Sequence, residues 1–196
     1  MTGPAHVCMA VDPGLAHVGY GLVGRYGAKL DLVESGHIAT PADWDLTDRL
    51  RKIWRELAVV CRGSRPTLMG IENQAPAAIG ARMMGLKAAA RGDKAGGFNH
   101  NNDPVFEVVG IAKAVAFSYG IPVMLYSPQQ AKIAVCGKGS GSAKKAQVID
   151  AIRRCYFKGI ENDGQVLGEH EADAIAGAIY CERVTYLDSK RARRAG

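Results

Sequence analysis

The first forty residues contain three apolar stretches separated by glycine-containing turns. They cover residues 6–11, which end at Asp-Pro-Gly, then residues 19–23 and residues 30–38. Short apolar stretches bounded by turn residues are typical of β-strands. The pattern therefore predicts a three-stranded meander at the amino terminus.

A helix is predicted next, because apolar residues between positions 46 and 60 recur at spacings of three and four. These apolar residues are Leu46, Leu50, Ile53, Leu57 and Val60. Three aspartates at positions 43, 45 and 48 lie near its beginning, where the helix dipole favours acids. Residues 67–71 then form a fourth apolar stretch, a predicted strand that leads into Glu72.

The second half of the chain predicts one more strand and four helices. The strand covers residues 122–126. The helices cover residues 105–119, residues 129–135, a segment that follows Ser142 as its cap, and residues 169–187.

Two segments lack this periodicity. Residues 73–104 contain glycines, asparagines and four basic side chains, which predicts a flexible basic insert. Residues 188–196 contain the basic run 190–194 and are expected to form an unfolded tail. Since 47% of the 196 residues are apolar, we expect residues 1–187 to form a single α/β domain.

The charge balance favours a polyanionic partner. The chain carries 25 Lys and Arg residues against 19 Asp and Glu residues, a formal net charge of +6, which suits nucleic acid or an anionic membrane. No uncharged apolar run is long enough to span a membrane and the first residues do not resemble a signal peptide, so we expect a cytoplasmic protein. The five cysteines are widely spaced and form no CxxC pair, which predicts reduced thiols rather than disulfides or a zinc site.

Three acidic residues lie at the ends of predicted elements. Asp12 follows the first strand, Glu72 follows the fourth, and Asp173 lies with His170 at the start of the last helix. Acids at neighbouring strand ends can converge with a helix that packs on the same sheet. A spacing of three puts His170 and Asp173 on one helix face, and Gly177 would let that face approach closely. Such a cluster is costly to bury unless a divalent cation holds it, and Mg²⁺ suits these ligands.

Each of these residues also has a simpler interpretation. Asp12 can be a turn former in Asp-Pro-Gly, and Glu72 can be a solvated strand end. His170 and Asp173 can be polar residues in the first turn of a helix. The hypothesis of a metal site therefore depends on their joint order and spacing.

Four segments of the chain resemble the RuvC family of Holliday-junction resolvases. They are AVDPGLAHVGYGLV at 10–23, MGIENQ at 69–74, GIPVMLYSPQQAKIAVCGKGSGSAKKAQV at 120–148 and HEADAIAGAIY at 170–180. The resemblance implies an RNase H-like fold with a central mixed five-stranded sheet flanked by helices. It also implies an endonuclease that resolves Holliday junctions and other branched DNA and leaves 5′-phosphate and 3′-hydroxyl ends. The insert at 73–104 favours a phage-type variant of the family. The encoding genome is that of a bacterium or of a phage.

Carried over residue by residue, the resemblance assigns catalysis and metal binding to Asp12, Glu72, His170 and Asp173. Our hypothesis is hydrolysis with two Mg²⁺ ions in each site, for which Mn²⁺ would substitute. Asp12 would bridge the ions, Glu72 would help to hold one, and His170 and Asp173 would hold the other. Lys145 matches a catalytic basic residue near the scissile phosphate and would offset negative charge there.

Further residues are expected to contact branched DNA. Lys132 matches an upstream lysine of the family, and the remaining candidates are Lys138, Lys144, Arg82, Lys87 and Arg91. Resolving a junction requires two symmetric cuts, so a homodimer is expected, with the apolar face of the helix at 105–119 or the insert at its interface. We expect no membrane partner and no small-molecule cofactor.

Three other functions are compatible with parts of this pattern. An actin-like or sugar-kinase-type ATPase also begins with a strand, an acidic glycine turn and a hairpin, but 196 residues leave no room for the duplicated domain that it needs. A different RNase H-like nuclease would act on RNA or flap DNA. A non-catalytic protein on the same fold would bind junctions without cutting them, and metal-dependent cleavage would rule it out.

Overall fold

A computed structural model of the chain describes residues 6–73, 103–155 and 167–195. Its sheet contains five strands in the order β3-β2-β1-β4-β5. They are β1 (Val7–Asp12), β2 (His17–Tyr26), β3 (Lys29–Ala39), β4 (Leu68–Glu72) and β5 (Val123–Tyr126). The first three strands pair antiparallel as the predicted meander, whereas β4 and β5 run parallel to β1. The predicted mixed five-stranded sheet is confirmed.

Within the described ranges the chain forms five helices. They are α1 (Leu46–Ser64), α2 (Asp103–Ser118), α3 (Pro128–Cys136), α4 (Lys145–Cys155) and α5 (Glu169–Ala195). α1 begins in the predicted acidic segment, where the Asp45 carboxylate accepts a hydrogen bond from the Asp48 N–H at 2.9 Å. α3 begins with a capping box between Ser127 and Gln130.

The helices cover both faces of the sheet. On one face, Met9 of β1 lies in a core with Ile53 of α1 and Val115 of α2. On the other face, Ala10 lies in a second core with Ile175 of α5 and with side chains of α3 and α4. Because side chains alternate along a strand, Asp12 projects to the same face as Ala10, the face that α5 covers.

Glycines let α5 lie directly on the sheet. A Cβ on Gly19 would lie 2.1 Å from the carbonyl oxygen of His170, and a Cβ on Gly21 would lie 2.8 Å from the nitrogen of Ile175. A side chain at either position would therefore push the helix away. The close approach predicted at Gly177 is confirmed, since a Cβ there would lie 2.1 Å from the Tyr126 hydroxyl oxygen.

The predicted cap of α4 is wrong. The helix begins at Lys145, so Ser142 precedes the cap position. The backbone N–H of Lys144 donates a hydrogen bond to Gln147 Oε1 at 2.8 Å. This hydrogen bond is one half of a capping box. It satisfies a backbone N–H at the start of the helix without a hydroxyl side chain.

The expectation of an unfolded basic tail is also wrong, because α5 continues to Ala195. Near this end the Tyr186 ring lies 3.9 Å from the Arg25 guanidinium carbon and 4.7 Å from Lys190 Nζ. The Arg25 contact attaches this part of α5 to β2, whereas the Lys190 contact lies within α5.

Some expectations concern residues beyond the described ranges. Residues 74–102 lie outside them, so the flexible basic insert stays a prediction. Cys8, Cys61, Cys136 and Cys181 are free thiols as predicted, while the side chain of Cys155 lies outside the description. In the part of the chain that is described, no helix is both long and apolar enough to cross a bilayer.

Candidate active site

Asp12 and Glu72 lie at the same edge of the sheet. Val11 of β1 pairs with Ile71 of the parallel strand β4, so the two acids follow at adjacent strand ends. Alternation places both side chains on the face that α5 covers. Glu72 is 8% exposed, and the Asp12 side chain is 13% exposed. The register thus brings two carboxylates together in a largely buried setting.

The first turn of α5 brings His170 and Asp173 to these strand ends. Gly19 pairs with Asp12 across β1 and β2, and the backbone of His170 lies directly over Gly19. His170 Nδ1 consequently lies 2.9 Å from Asp12 Oδ2. Asp173, one turn further along, lines a small cleft together with Glu72. All four residues predicted for the site therefore meet at one edge of the sheet.

The cluster carries excess negative charge. Burial and the Asp12 carboxylate raise the pKa of Asp173, although Lys145, Lys132 and His170 act in the opposite direction. A raised pKa means that the charged form of Asp173 is destabilised in this environment. An additional cation beside Asp173 would stabilise that charged form.

Tyr126 ties the two strand ends together beneath the acids. Its hydroxyl donates a hydrogen bond to the Val11 carbonyl at 3.4 Å, and its own carbonyl accepts one from the Asn73 N–H at 2.7 Å. Burial and the nearby carboxylates raise its pKa well above the ordinary value. The phenol is thus a neutral donor that holds the residue before Asp12.

Two of the predicted lysines face the acids. Lys145 Nζ lies 2.8 Å from Glu169 Oε2 and 3.8 Å from Asp173 Oδ2. The hydrogen bond to Glu169 and the charge of Asp173 raise the pKa of Lys145, so this side chain stays protonated. Lys132 lines the cleft with Glu72 and Asp173. Positive charge therefore lies directly beside the carboxylates.

The remaining predicted DNA-binding residues are not part of this cluster. Lys138 and Lys144 are exposed near the start of α4. Arg82, Lys87 and Arg91 lie outside the described residues. Contacts of all five with DNA stay predictions.

The sequence reasoning missed three residues of the site: His17, Tyr126 and Glu169. The ring of His17 stacks on that of His170, with centroids 5.6 Å apart and planes inclined by 16°. Its position was open to prediction, because His17 precedes Gly19 by two residues and so shares its strand face. The roles of Tyr126 and Glu169 depend on side-chain packing, for which the sequence carries no periodic signal.

The donor set suits a divalent cation. Carboxylate oxygens are the ligands that Mg²⁺ prefers, and neutral imidazole also binds divalent ions. Across the described ranges, however, no three His, Cys, Asp or Glu side chains are arranged to hold one ion. In the described structure Asp12 contacts His170, and Asp173 faces Lys145. The ligand set stays a prediction.

Solved structures share the fold. The Thermus thermophilus RuvC structure matches 93% of this chain and 96% of its own with a TM-score of 0.68 at 24% identity. The structure of T. thermophilus RuvC in complex with Holliday junction substrate matches 89% of this chain and 91% of its own, with a TM-score of 0.65 at 23% identity. The mixed sheet with helices on both faces therefore has the RNase H-like fold.

The sequence comparisons define the family. The family model for crossover junction endodeoxyribonuclease RuvC matches residues 8–93 of this chain. A Citrifermentans bemidjiense crossover junction endodeoxyribonuclease RuvC is 31% identical over 173 residues, which cover 88% of this chain and 90% of that protein. The Cutibacterium acnes protein of the same name is 35% identical over 150 residues, 74% of this chain and 64% of that protein. The chain belongs to the RuvC family.

Proposed function

We propose that this chain is a structure-selective endonuclease that resolves Holliday junctions and other branched DNA. The observation that carries the proposal is the meeting of Asp12, Glu72, His170 and Asp173 at one sheet edge, beside Lys145, in a chain of this family. The reaction is hydrolysis of a phosphodiester, which leaves a 5′-phosphate and a 3′-hydroxyl.

Asp12, Glu72, His170 and Asp173 would hold Mg²⁺, or Mn²⁺ in its place, with two ions in each site. Such ions activate a water molecule and stabilise the leaving oxygen. The destabilised charge of Asp173 and the burial of Glu72 support a cation here. The contact of His170 with Asp12 holds both side chains at the edge where an ion would bind.

The two lysines supply positive charge at the substrate. Lys145 is held protonated by Glu169 and Asp173 and would face the scissile phosphate. Its charge would offset the negative charge that develops on the phosphate oxygens during attack. Lys132, which lines the cleft together with Glu72, would contact the same DNA backbone. Lys138, Lys144 and the basic residues of the insert would bind the arms of the junction.

A homodimer would supply the two symmetric cuts that a junction needs. Phe106 and Phe117 of α2 are 44% and 68% exposed, which supports α2 as part of the interface. We further propose that residues 1–187 act as one nuclease domain with a basic insert at 73–104. The protein would act in the cytoplasm of a bacterium, or of a phage-infected host.

The test is cleavage of a labelled four-way junction, a Y-structure, linear duplex DNA and an RNA hairpin, each with Mg²⁺, with Mn²⁺ and with EDTA. The proposal expects paired symmetric nicks in the junction that disappear with EDTA. Equal cleavage of RNA or unbranched duplex would contradict junction selectivity. A junction that is bound but uncut in both metals would indicate a non-catalytic binding protein.

A further inference from the structure

His17 occupies one face of the His170 ring. The two rings are nearly parallel, with an interplanar angle of 16° and centroids 5.6 Å apart. His17 lies at the start of β2, two residues before Gly19, and both positions lie on the sheet face that α5 covers. Since Gly19 holds the backbone of His170 against β2, the stack joins parts of the fold whose spacing is already fixed.

The ring stack of His17 on His170 acts together with the hydrogen bond between His170 and Asp12, which water can reach. The His170 side chain is 42% exposed and lies in the first turn of α5. Its hydrogen bond to Asp12 fixes one ring nitrogen, Nδ1, but leaves rotation of the ring about that contact. A parallel aromatic neighbour restricts this rotation, because offset-stacked rings attract each other.

A neighbouring histidine provides a contrast on the same surface. The His37 ring lies 6.2 Å from that of His17 at an angle of 49°, and its Nδ1 lies 3.5 Å from Glu171 Oε1. His37 thus lies close to His17, but its ring nitrogen faces Glu171. Of these two ring pairs, the nearly parallel one is that of His17 and His170.

We propose that His17 is a positioning residue, whose ring holds the His170 imidazole in the orientation that presents Nδ1 to Asp12 and Nε2 to an incoming ligand. The inference rests on the proposed function for the identity of that ligand, a divalent cation. With Asp12 as acceptor, neutral His170 carries its proton on Nδ1, and Nε2 is the ring nitrogen with a lone pair.

The first readout needs neither metal nor substrate. Imidazole nitrogen spectra at pH 8, assigned with His170→Gln, would report the tautomer of His170 in the wild type and in three variants. We expect the Nδ1–H tautomer to predominate in the wild type and in His17→Phe, which retains a stacking ring. His17→Ala should shift His170 towards the Nε2–H form that predominates in water. His37→Ala, the matched control, should leave the His170 signals unchanged.

The second readout is the Mn²⁺ concentration that gives half-maximal junction cleavage. Loss of a group that orients a metal ligand costs about 10- to 100-fold in affinity, and a stacking contact should cost less, about 3- to 10-fold. We expect this increase for His17→Ala, with recovery in His17→Phe and no change in His37→Ala.

Two results would overturn the inference. One is a His17→Ala variant with the wild-type tautomer and the wild-type Mn²⁺ dependence. The other is His17→Phe with the same defect as His17→Ala, because His17 would then act through its own nitrogen atoms. A wild type that cuts no junction would instead refute the proposed function, and the tautomer of His170 would still test the role of His17.

Discussion

Replacing Gly19 by alanine tests whether α5 must lie directly on β2 for the site to form. The new Cβ would lie 2.1 Å from the carbonyl oxygen of His170 and 2.5 Å from the carbonyl carbon. Non-bonded carbons pack at about 3.5 Å or more, so the first turn of α5 must move by about 1 Å. Overpacking of this kind should lower the free energy of unfolding by about 1–3 kcal/mol.

The same movement should impair the site, because it separates His170 from Asp12, to which it is now 2.9 Å distant. Misplacement of a reacting group by about 1 Å can lower a catalysed rate about 100-fold. We expect this loss for Gly19→Ala in junction cleavage at saturating Mn²⁺. Circular dichroism during heating would measure the accompanying fall in Tm.

Gly63→Ala is the matched control. Gly63 lies in α1, and a Cβ there would meet no atom within 4 Å. An alanine in a helix is up to about 1 kcal/mol more favourable than glycine, so Gly63→Ala should keep full activity with an equal or higher Tm. If Gly19→Ala cut junctions at the wild-type rate with an unchanged Tm, the close packing of α5 on β2 would not matter and the reasoning would be refuted.

Three further predictions concern charge and burial. Arg25→Ala should lower the free energy of unfolding by about 3–5 kcal/mol in urea denaturation, because it leaves the fully buried Glu182 carboxylate uncompensated; an unchanged midpoint would argue against this. Burial raises the pKa of Cys61 to about 11, so at pH 8 this thiol should resist alkylation in peptide mapping until urea is added. Lys145→Met should cut junctions about 100-fold more slowly, whereas Lys29→Met, at an exposed residue of β3 outside the proposed DNA contacts, should remain near wild type.

The sheet was open to prediction because its pattern is local. Apolar stretches ended by Asp-Pro-Gly, by glycine and by Ser-Pro give each strand its own boundaries, and the strands lie within a few residues of the predicted positions. The apolar spacing in α1 likewise matches its buried residues Ile53, Leu57 and Val60.

The ends of α4 and α5 were harder to predict. A serine is a common helix cap, so Ser142 was the natural choice, yet the Gln147 side chain supports a start at Lys145. By its composition, the basic run 190–194 is typical of a solvated tail. Helix α5 nevertheless continues through this run, and Tyr186, which precedes the run, contacts Arg25 of β2, a contact that no local pattern contains.

The acids of the site were predicted because they stand at the ends of elements, where topology alone brings them together. Their partners were not. The stack of His17 on His170 depends on the register of β2 against β1, and Glu169 becomes a partner of Lys145 through the packing of α4 beside α5. Neither the register nor the packing is encoded within one segment.

The most direct test of the central claim compares Asp12→Asn with Asp31→Asn on a labelled four-way junction in Mn²⁺. Asn is nearly isosteric with Asp, and Asp31 is a surface residue of β3 that pairs with Lys29. The account predicts that both variants bind the junction as the wild type does, that Asp31→Asn makes paired symmetric nicks, and that Asp12→Asn makes none. Symmetric nicking by Asp12→Asn at the wild-type rate would contradict the assignment of the active site to this edge of the sheet.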